Sequence, residues 1–250
     1  MFKNIISTIA IRYLPESIFA PLYTMFWDKN TRIERLGWRV RRGGLDLLIP
    51  TPKCLFMRYK EWEDKFERFF KIERGDTAVD IGACFGDTAV PMAMKVGIEG
   101  RVIAVEPSPV NAQFLRLNLQ GFGNCEVIEK AMWNEKGEVT FWLHKAPTGG
   151  SIEHAYERNF ETKVMADTVD NILDGVKVDF LKIDVQGSEV QVLEGAKKTL
   201  SRVPKCIVET HYRNTPARTY PDVMKIMEGF GFKLNFTMDN GLVYAERKGV

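Results

Sequence analysis

The sequence contains no run of eighteen apolar residues, so no stretch of it reads as a transmembrane helix. Its four cysteines, Cys54, Cys84, Cys125 and Cys206, are scattered and form no C-x-x-C pair. That excludes a zinc ribbon or a disulfide framework and is expected of reduced, mostly buried thiols in a cytoplasmic protein. The three histidines, His144, His154 and His211, lack metal-ligand spacing, so no metal is expected. A net charge of +2 over 250 residues gives no global reason to bind nucleic acid. The balance is uneven, however. Residues 1–42 carry eight cations against Glu16, Asp28 and Glu34, a net of +5, which leaves −3 for the remainder. Pro15 and Pro21 interrupt the apolar N-terminus, and no small-residue cleavage site follows them.

From Asp76 onward the pattern alternates strand and helix, which argues for an α/β fold around a mostly parallel sheet. Strands are expected at 77–82, 101–106, 125–130, 179–185 and 206–209. A helix from Asp87 or Thr88 should bury Val90, Ala93, Met94 and Gly97. A second helix, capped by Ser108 with Pro109 at its first position, should bury Val110, Phe114 and Leu117. Trp62, Phe66, Phe69 and Phe70 recur at helical spacing and read as a core-packing helix ending at Gly75. Residues 138–143 read as an extra strand, 144–161 as a polar substrate-side loop, and 167–173 as a short helix. Near the C-terminus, Phe232, Leu234, Phe236 and Met238 alternate, followed by Asp239-Asn240-Gly241 and a second run at 242–245, the signature of a β-hairpin.

Two domains are expected: a helical arm with a β-hairpin at 36–49 over residues 1–56, and an α/β domain over 57–250. The arm's Ile5, Ile6, Ile9, Phe19, Leu22 and Phe26 suit self-association, contact with a membrane surface, or packing back on the core.

The chemistry concentrates after the first strand of the α/β domain, at Asp80-Ile81-Gly82-Ala83-Cys84-Phe85-Gly86-Asp87-Thr88, and after the second, at Glu106-Pro107-Ser108. A strand, a glycine turn, a helix and a second strand ending in an acid is how α/β proteins hold a nucleoside, the acid accepting both ribose hydroxyls. A dinucleotide needs G-x-G-x-x-G so that its pyrophosphate can approach the backbone, and here Gly82 and Gly86 stand four apart. A nucleoside without phosphates, S-adenosylmethionine, fits this spacing better. Asp80 and the loop amides at Ala83, Cys84 and Phe85 would meet its methionine end, and Glu106 its ribose. Pro107, Ser108, Ala131 and Met132 are expected to complete the cofactor site.

Asp184 ends the fourth strand of the sheet and His211 follows the fifth, so both should face the crevice beyond the strands' carboxyl ends. Asp184 could hold the cofactor's ammonium, cap its own turn or serve the acceptor's proton. His211 is either a base or a satisfied loop histidine. Lys182 lies two residues before Asp184 on a central strand, and a buried ammonium must be paired, with Asp80, Asp184 or Glu209.

Asp80-Ile81-Gly82-Ala83-x-x-Gly86, Arg101-Val102-Ile103-Ala104-Val105-Glu106-Pro107 and Lys182-Ile183-Asp184-Val185-Gln186-Gly187-x-Glu189-x-x-Val192-Leu193-x-Gly195-Ala196 resemble the FkbM family of S-adenosylmethionine-dependent methyltransferases. The resemblance spans about residues 57–215. It implies a seven-stranded Rossmann-like sheet and O-methylation of a sugar or other small-molecule hydroxyl. Members of that family often carry Asn where Cys84 stands and Glu where Gln186 stands. A nucleotide-dependent oxidoreductase and a non-catalytic cofactor-binding scaffold are the competing readings.

Overall fold

The computed structural model describes residues 31–34, 37–42, 45–49, 65–143, 151–152, 160–212, 218–238 and 241–247. Expectations for residues 1–30, Cys54, Trp62, His144, His154 and Asp239-Asn240 lie outside that set. The chain divides into two compact units, Met1–Lys60 and Glu61–Val250.

In the first unit β1 (Thr31–Glu34), β2 (Gly37–Arg42) and β3 (Leu45–Ile49) form an antiparallel sheet in that order. The expected hairpin is β2–β3, with Val40 opposite Leu47 and Arg39 bonded to Asp46 at 3.0 Å. β1 is a third strand that the sequence reading did not include.

The second unit is built on seven strands: β4 (Thr77–Ile81), β5 (Arg101–Val105), β6 (Cys125–Ile128), β10 (Phe180–Ile183), β11 (Lys205–Glu209), β12 (Lys233–Thr237) and β13 (Leu242–Glu246). Their order is β12-β13-β11-β10-β4-β5-β6, and β13 alone runs antiparallel to its neighbours. The central strands are buried on both faces, as a parallel sheet covered on both sides requires, and their buried residues are apolar but for Asp80 on β4 and Lys182 on β10. Helices α1 (Ala89–Val96), α2 (Pro109–Leu119), α4 (Glu189–Glu194), α5 (Lys197–Leu200) and α6 (Tyr220–Gly229) alternate with the strands. Val192, Leu193, Ala196 and Leu200 enter the main core as expected, with Val223 and Met227 of α6.

Between β6 and β10 lies a second sheet, with β7 (Ala131–Met132), β9 (Phe160–Asp167) and β8 (Gly137–Leu143) in the order β7-β9-β8, followed by the short α3 (Val169–Ile172). β9 runs antiparallel to β8 over its whole length, so the end of the expected loop, Phe160 and Glu161, is strand.

Three helix faces differ from expectation. Met94 is 53% exposed and Val110 55%. α2 buries Phe114 as expected, but with Asn111, Ala112, Leu115 and Leu119 in place of Val110 and Leu117. Of the expected aromatic helix, only Lys65 and Phe66 are helical among the described residues. Residues 67–69 bend, Phe66 and Phe70 are buried, and Phe69 stays out, its ring edge-on to Tyr244 at 4.8 Å between centroids.

Candidate active site

The carboxyl ends of β4, β5, β10 and β11 lie side by side in the sheet; Asp80 and Lys182 stand near the ends of β4 and β10, and Glu106, Asp184 and His211 follow β5, β10 and β11. At β4 the chain turns on Gly82, whose φ of +81° and contact with β10 leave no room for a side chain. A Cβ there would lie 1.8 Å from the Asp184 carbonyl oxygen. Cys84 takes a left-handed φ of +50°, and Gln186 after β10 takes +54°; they are the only non-glycine residues of positive φ among those described. Such a conformation costs an L-residue about 1–2 kcal/mol, so both loops carry backbone strain where the strands end.

Glu106 is buried and accepts backbone N–H groups from Cys84 at 2.9 Å and Ser108 at 2.9 Å, with the Asn111 amide at 3.4 Å. Burial pushes its carboxyl up to about 7, against the pull of these donors. The acid after β5 therefore fastens the β4 loop to the β5 loop. Its Oε2 receives one hydrogen bond and retains a lone pair.

Asp80 is turned inward. Lys182 donates to its Oδ1 at 2.9 Å and the Thr88 hydroxyl to its Oδ2, and both members of the ion pair are essentially inaccessible. Of the three partners open to Lys182, Asp80 takes it, with Asp184 3.8 Å away. Glu209 is held by Lys65 at 2.7 Å. Burial lowers the Lys182 ammonium, but Asp80 and Asp184 outweigh that and hold it above its ordinary value. Asp87, half-buried in the β4 loop, is pushed up to about 6 by burial and by the charges of Asp80 and Asp184. Three carboxyl groups thus share one buried ammonium.

Beyond β10 and β11 a second network forms. The His211 ring donates from Nδ1 to Glu189 Oε1 at 2.8 Å, and its Nε2 lies 3.0 Å from the Gln186 amide nitrogen and 3.6 Å from Asp184 Oδ1. The same Gln186 nitrogen donates to Asp184 Oδ1 at 2.8 Å. Glu189 is fully buried and also accepts from the Gly187 N–H at 2.9 Å and the Thr219 hydroxyl at 2.8 Å. Burial alone would lower the imidazole, yet the Glu189 hydrogen bond and the charges of Asp184, Glu189 and Glu209 push it up to about 9. Asp184 is held below the usual carboxylate range: burial acts upward, and Lys182 and His211 outweigh it.

Asp184 and His211, expected in one crevice, are neighbours, and each is about one-fifth exposed. Gly82, Cys84 and Pro107 are also partly open, whereas Ala83, Phe85, Gly86, Ser108, Ala131 and Met132 are buried. Phe85 and Ser108 serve the scaffold: the Phe85 carbonyl accepts from Asn118 at 2.7 Å, and Ser108 caps α2. Of the two sequence readings of His211, base or satisfied loop histidine, the structure adds that both ring nitrogens are engaged and that its charge is stabilised. Glu189, Gln186, Thr219 and Asp87 were not singled out from the sequence as site residues. The signal for two of them was present, since Gln186-Gly187-x-Glu189 is part of the motif that carried the resemblance.

Among the described residues no helix is long and apolar enough to cross a membrane, and no cluster of His, Cys, Asp and Glu could hold a metal ion. No curated protein matches the sequence. In fold the chain is similar to the methyltransferase FkbM of Methylobacillus flagellatus, at a TM-score of 0.54 and 18% identity over 71% of this chain. That match spans 45% of the longer protein, so the chain covers less than half of it. A Pyrococcus horikoshii protein described as a transferase matches at a TM-score of 0.51 and 12% identity, over 92% of this chain and 82% of its own. The model of the methyltransferase FkbM domain matches residues 80–234, more than half of the chain and the whole span from Asp80 through Glu106, Asp184 and Glu189 to His211. The chain belongs to the FkbM methyltransferase family.

Proposed function

We propose that the protein is an S-adenosylmethionine-dependent O-methyltransferase acting on a hydroxyl of a sugar, glycan or other small molecule. The observation that carries the cofactor assignment is the acidic excess at the ends of β4 and β10. Asp80, Asp87 and Asp184 gather around Lys182, with His211 beside Asp184, and burial together with the charges of Asp80 and Asp184 raises Asp87 to about 6. Such a mouth attracts a ligand bearing a sulfonium and an ammonium and repels a pyrophosphate, which speaks against the oxidoreductase reading.

The donor set suits that ligand. The open lone pair of Glu106 would accept a ribose hydroxyl, and the partly exposed Asp184 would face the ammonium or the acceptor. When bound, S-adenosylmethionine supplies an activated methyl group, which leaves alignment and proton removal to the protein. Glu189 fixes the His211 ring through Nδ1, so once the ring is neutral, which its raised value places at alkaline pH, Nε2 is the atom that can take a hydroxyl proton. The carboxylates around the ring strengthen it as a base and stabilise the imidazolium that results. Asp184, 3.6 Å from Nε2, orients the same hydroxyl.

Titration calorimetry with S-adenosylhomocysteine and with a nicotinamide dinucleotide tests the cofactor. Binding of the first alone is expected. Glu106→Ala should weaken it at least tenfold, since a charge-assisted bond contributes roughly 1.5–3 kcal/mol. An unchanged affinity would remove Glu106 from the ribose. For turnover, Asp184→Asn should abolish activity. His211→Ala should lower it on the order of 100-fold while sparing cofactor affinity, and full activity in either variant would displace that residue from the chemistry.

A further inference from the structure

We infer that Gln186 occupies the acceptor's place in the closed site, so that a hydroxyl reaches His211 only by displacing the Gln186 side chain. The inference rests on the reading above, in which Asp184 and His211 handle the acceptor. The Gln186 amide nitrogen spans Asp184 Oδ1 at 2.8 Å and His211 Nε2 at 3.0 Å, using one hydrogen for each. A neutral imidazole has a single lone pair at Nε2, and the amide takes it. No acceptor hydroxyl can then bond to Nε2 while the amide stays.

The rest of the loop holds still for such an exchange. The Ser151 hydroxyl, on a buried residue, donates to the Gln186 carbonyl at 2.8 Å, and the Gly187 N–H is tied to Glu189. The peptide unit that follows Gln186 is therefore held from both its carbonyl and its N–H, and Gln186 itself sits in a conformation that a residue with a side chain rarely adopts. The side chain, half-buried at the surface of the site, is what remains able to swing.

The bridge also conflicts with the charge on His211. An imidazolium carries N–H at both nitrogens, so Nε2–H would point at the amide NH2. Turning the amide over would relieve that contact but set its oxygen against the ionised Asp184. The groups acting on the ring are Asp184 and Lys182 from β10 and its loop, Glu189 from α4, and Glu209 from β11 with its partner Lys65. Protonation of His211 and the Gln186 bridge are thus mutually exclusive, and either a proton or an acceptor opens the site.

NMR of the full-length protein tests this without an acceptor or a methyl donor. Long-range nitrogen–proton spectra of the three histidines, with His211 assigned from His211→Asn, give its tautomer and titration midpoint, and the Gln186 side-chain amide is followed in parallel. The expected result is an Nδ1–H tautomer at high pH and a Gln186 amide signal that moves with the midpoint of His211. Gln186→Met, similar in size and without donors, should raise that midpoint by about one unit, because a bond favouring the neutral ring is gone. Gln186→Glu should raise it further. A Gln186 amide that ignores the His211 titration, or midpoints unchanged in both variants, overturns the inference while leaving the proton-handling roles of Asp184 and His211 to the turnover assays.

Discussion

Replacing Gly82 by alanine tests whether the site is set by the close approach of β4 to β10. Two costs combine at this position. The φ of +81° is one that an L-residue adopts only at a cost of about 1–2 kcal/mol. The new Cβ would also stand 1.8 Å from the Asp184 carbonyl oxygen, a backbone atom that cannot rotate away. Relief requires the strand ends to part by more than an ångström. The Asp184 N–H donates to the Ile81 carbonyl, and the Gly82 N–H to the Val105 carbonyl, both at 2.9 Å. Loosening one such buried bond leaves groups unsatisfied at about 1–3 kcal/mol each. The expected loss is therefore about 3–5 kcal/mol, a large part of the roughly 5–15 kcal/mol available to a domain.

Three other glycines separate the causes. Gly121 has an ordinary φ and open space, so Gly121→Ala should change little. Gly175 has a φ of +70° and open space, so Gly175→Ala should show the backbone cost alone. Gly100 has an ordinary φ but would place a Cβ 2.6 Å from the Asp76 carbonyl, and should show the contact alone. Urea titration measures all four. With a slope of about 2 kcal/mol per molar, Gly82→Ala should lower the midpoint by roughly 2 M. A Gly82→Ala midpoint no lower than that of Gly175→Ala would refute the close-approach argument.

Lys182→Met should cost about 3–5 kcal/mol by leaving the Asp80 carboxylate buried without its cation. Lys182→Met combined with Asp80→Asn should recover most of that loss in the same urea titration; equal losses in the single and double variants would mean that the pair is not what holds β4 to β10. Glu106 is raised from 4.5 to about 7 in the folded chain, so its stabilising contribution is fully present below about pH 4.5 and is lost as pH rises through about 7. The size is about 3 kcal/mol. Urea midpoints between pH 4.5 and 8 should fall along that window in the wild type and less steeply in Glu106→Gln, where Asp87, raised to about 6, and His211, raised to about 9, leave their own slopes.

The sheet was legible because its signals are local and repeated. Central parallel strands read as short apolar runs, and residues at their carboxyl ends must share one edge, which is why Asp184 and His211 could be placed together before any coordinates. β9 was missed although the buried Val164 and Ala166 and the half-buried Thr162 alternate as a strand's inner face should. Its other face carries Glu161, Lys163 and the exposed Met165, and the run follows directly on polar sequence that reads as loop. The α2 face was misplaced in part because the stripe was started at Val110. The cap at Ser108 fixes the helix so that Asn111 and Ala112 turn inward instead.

The site itself was legible as a list of acids and only partly as an arrangement. Sequence spacing says that Asp80 precedes a glycine turn. It offers Asp80 to Lys182, 102 residues away, only as one of three partners, and does not say that the pairing turns the acid inward. Glu189 was hidden for a related reason: an acid in the first turn of a helix reads as a favourable charge on the helix dipole. Its function becomes visible only when β11 brings His211 within 2.8 Å and α6 brings Thr219 to the other oxygen. Cys84 and Gln186 are the most telling pair, since they stand where the family often has Asn and Glu and are the two non-glycine residues of left-handed backbone described in the chain. Asparagine at Cys84 is explained by that φ, which short polar side chains tolerate better than most. Glutamate at Gln186 has no such conformational reason, because a longer side chain gains nothing there. The conformation therefore belongs to the fold at both positions, whereas the amide at Gln186, in contact with Asp184 and His211, belongs to the chemistry of this chain.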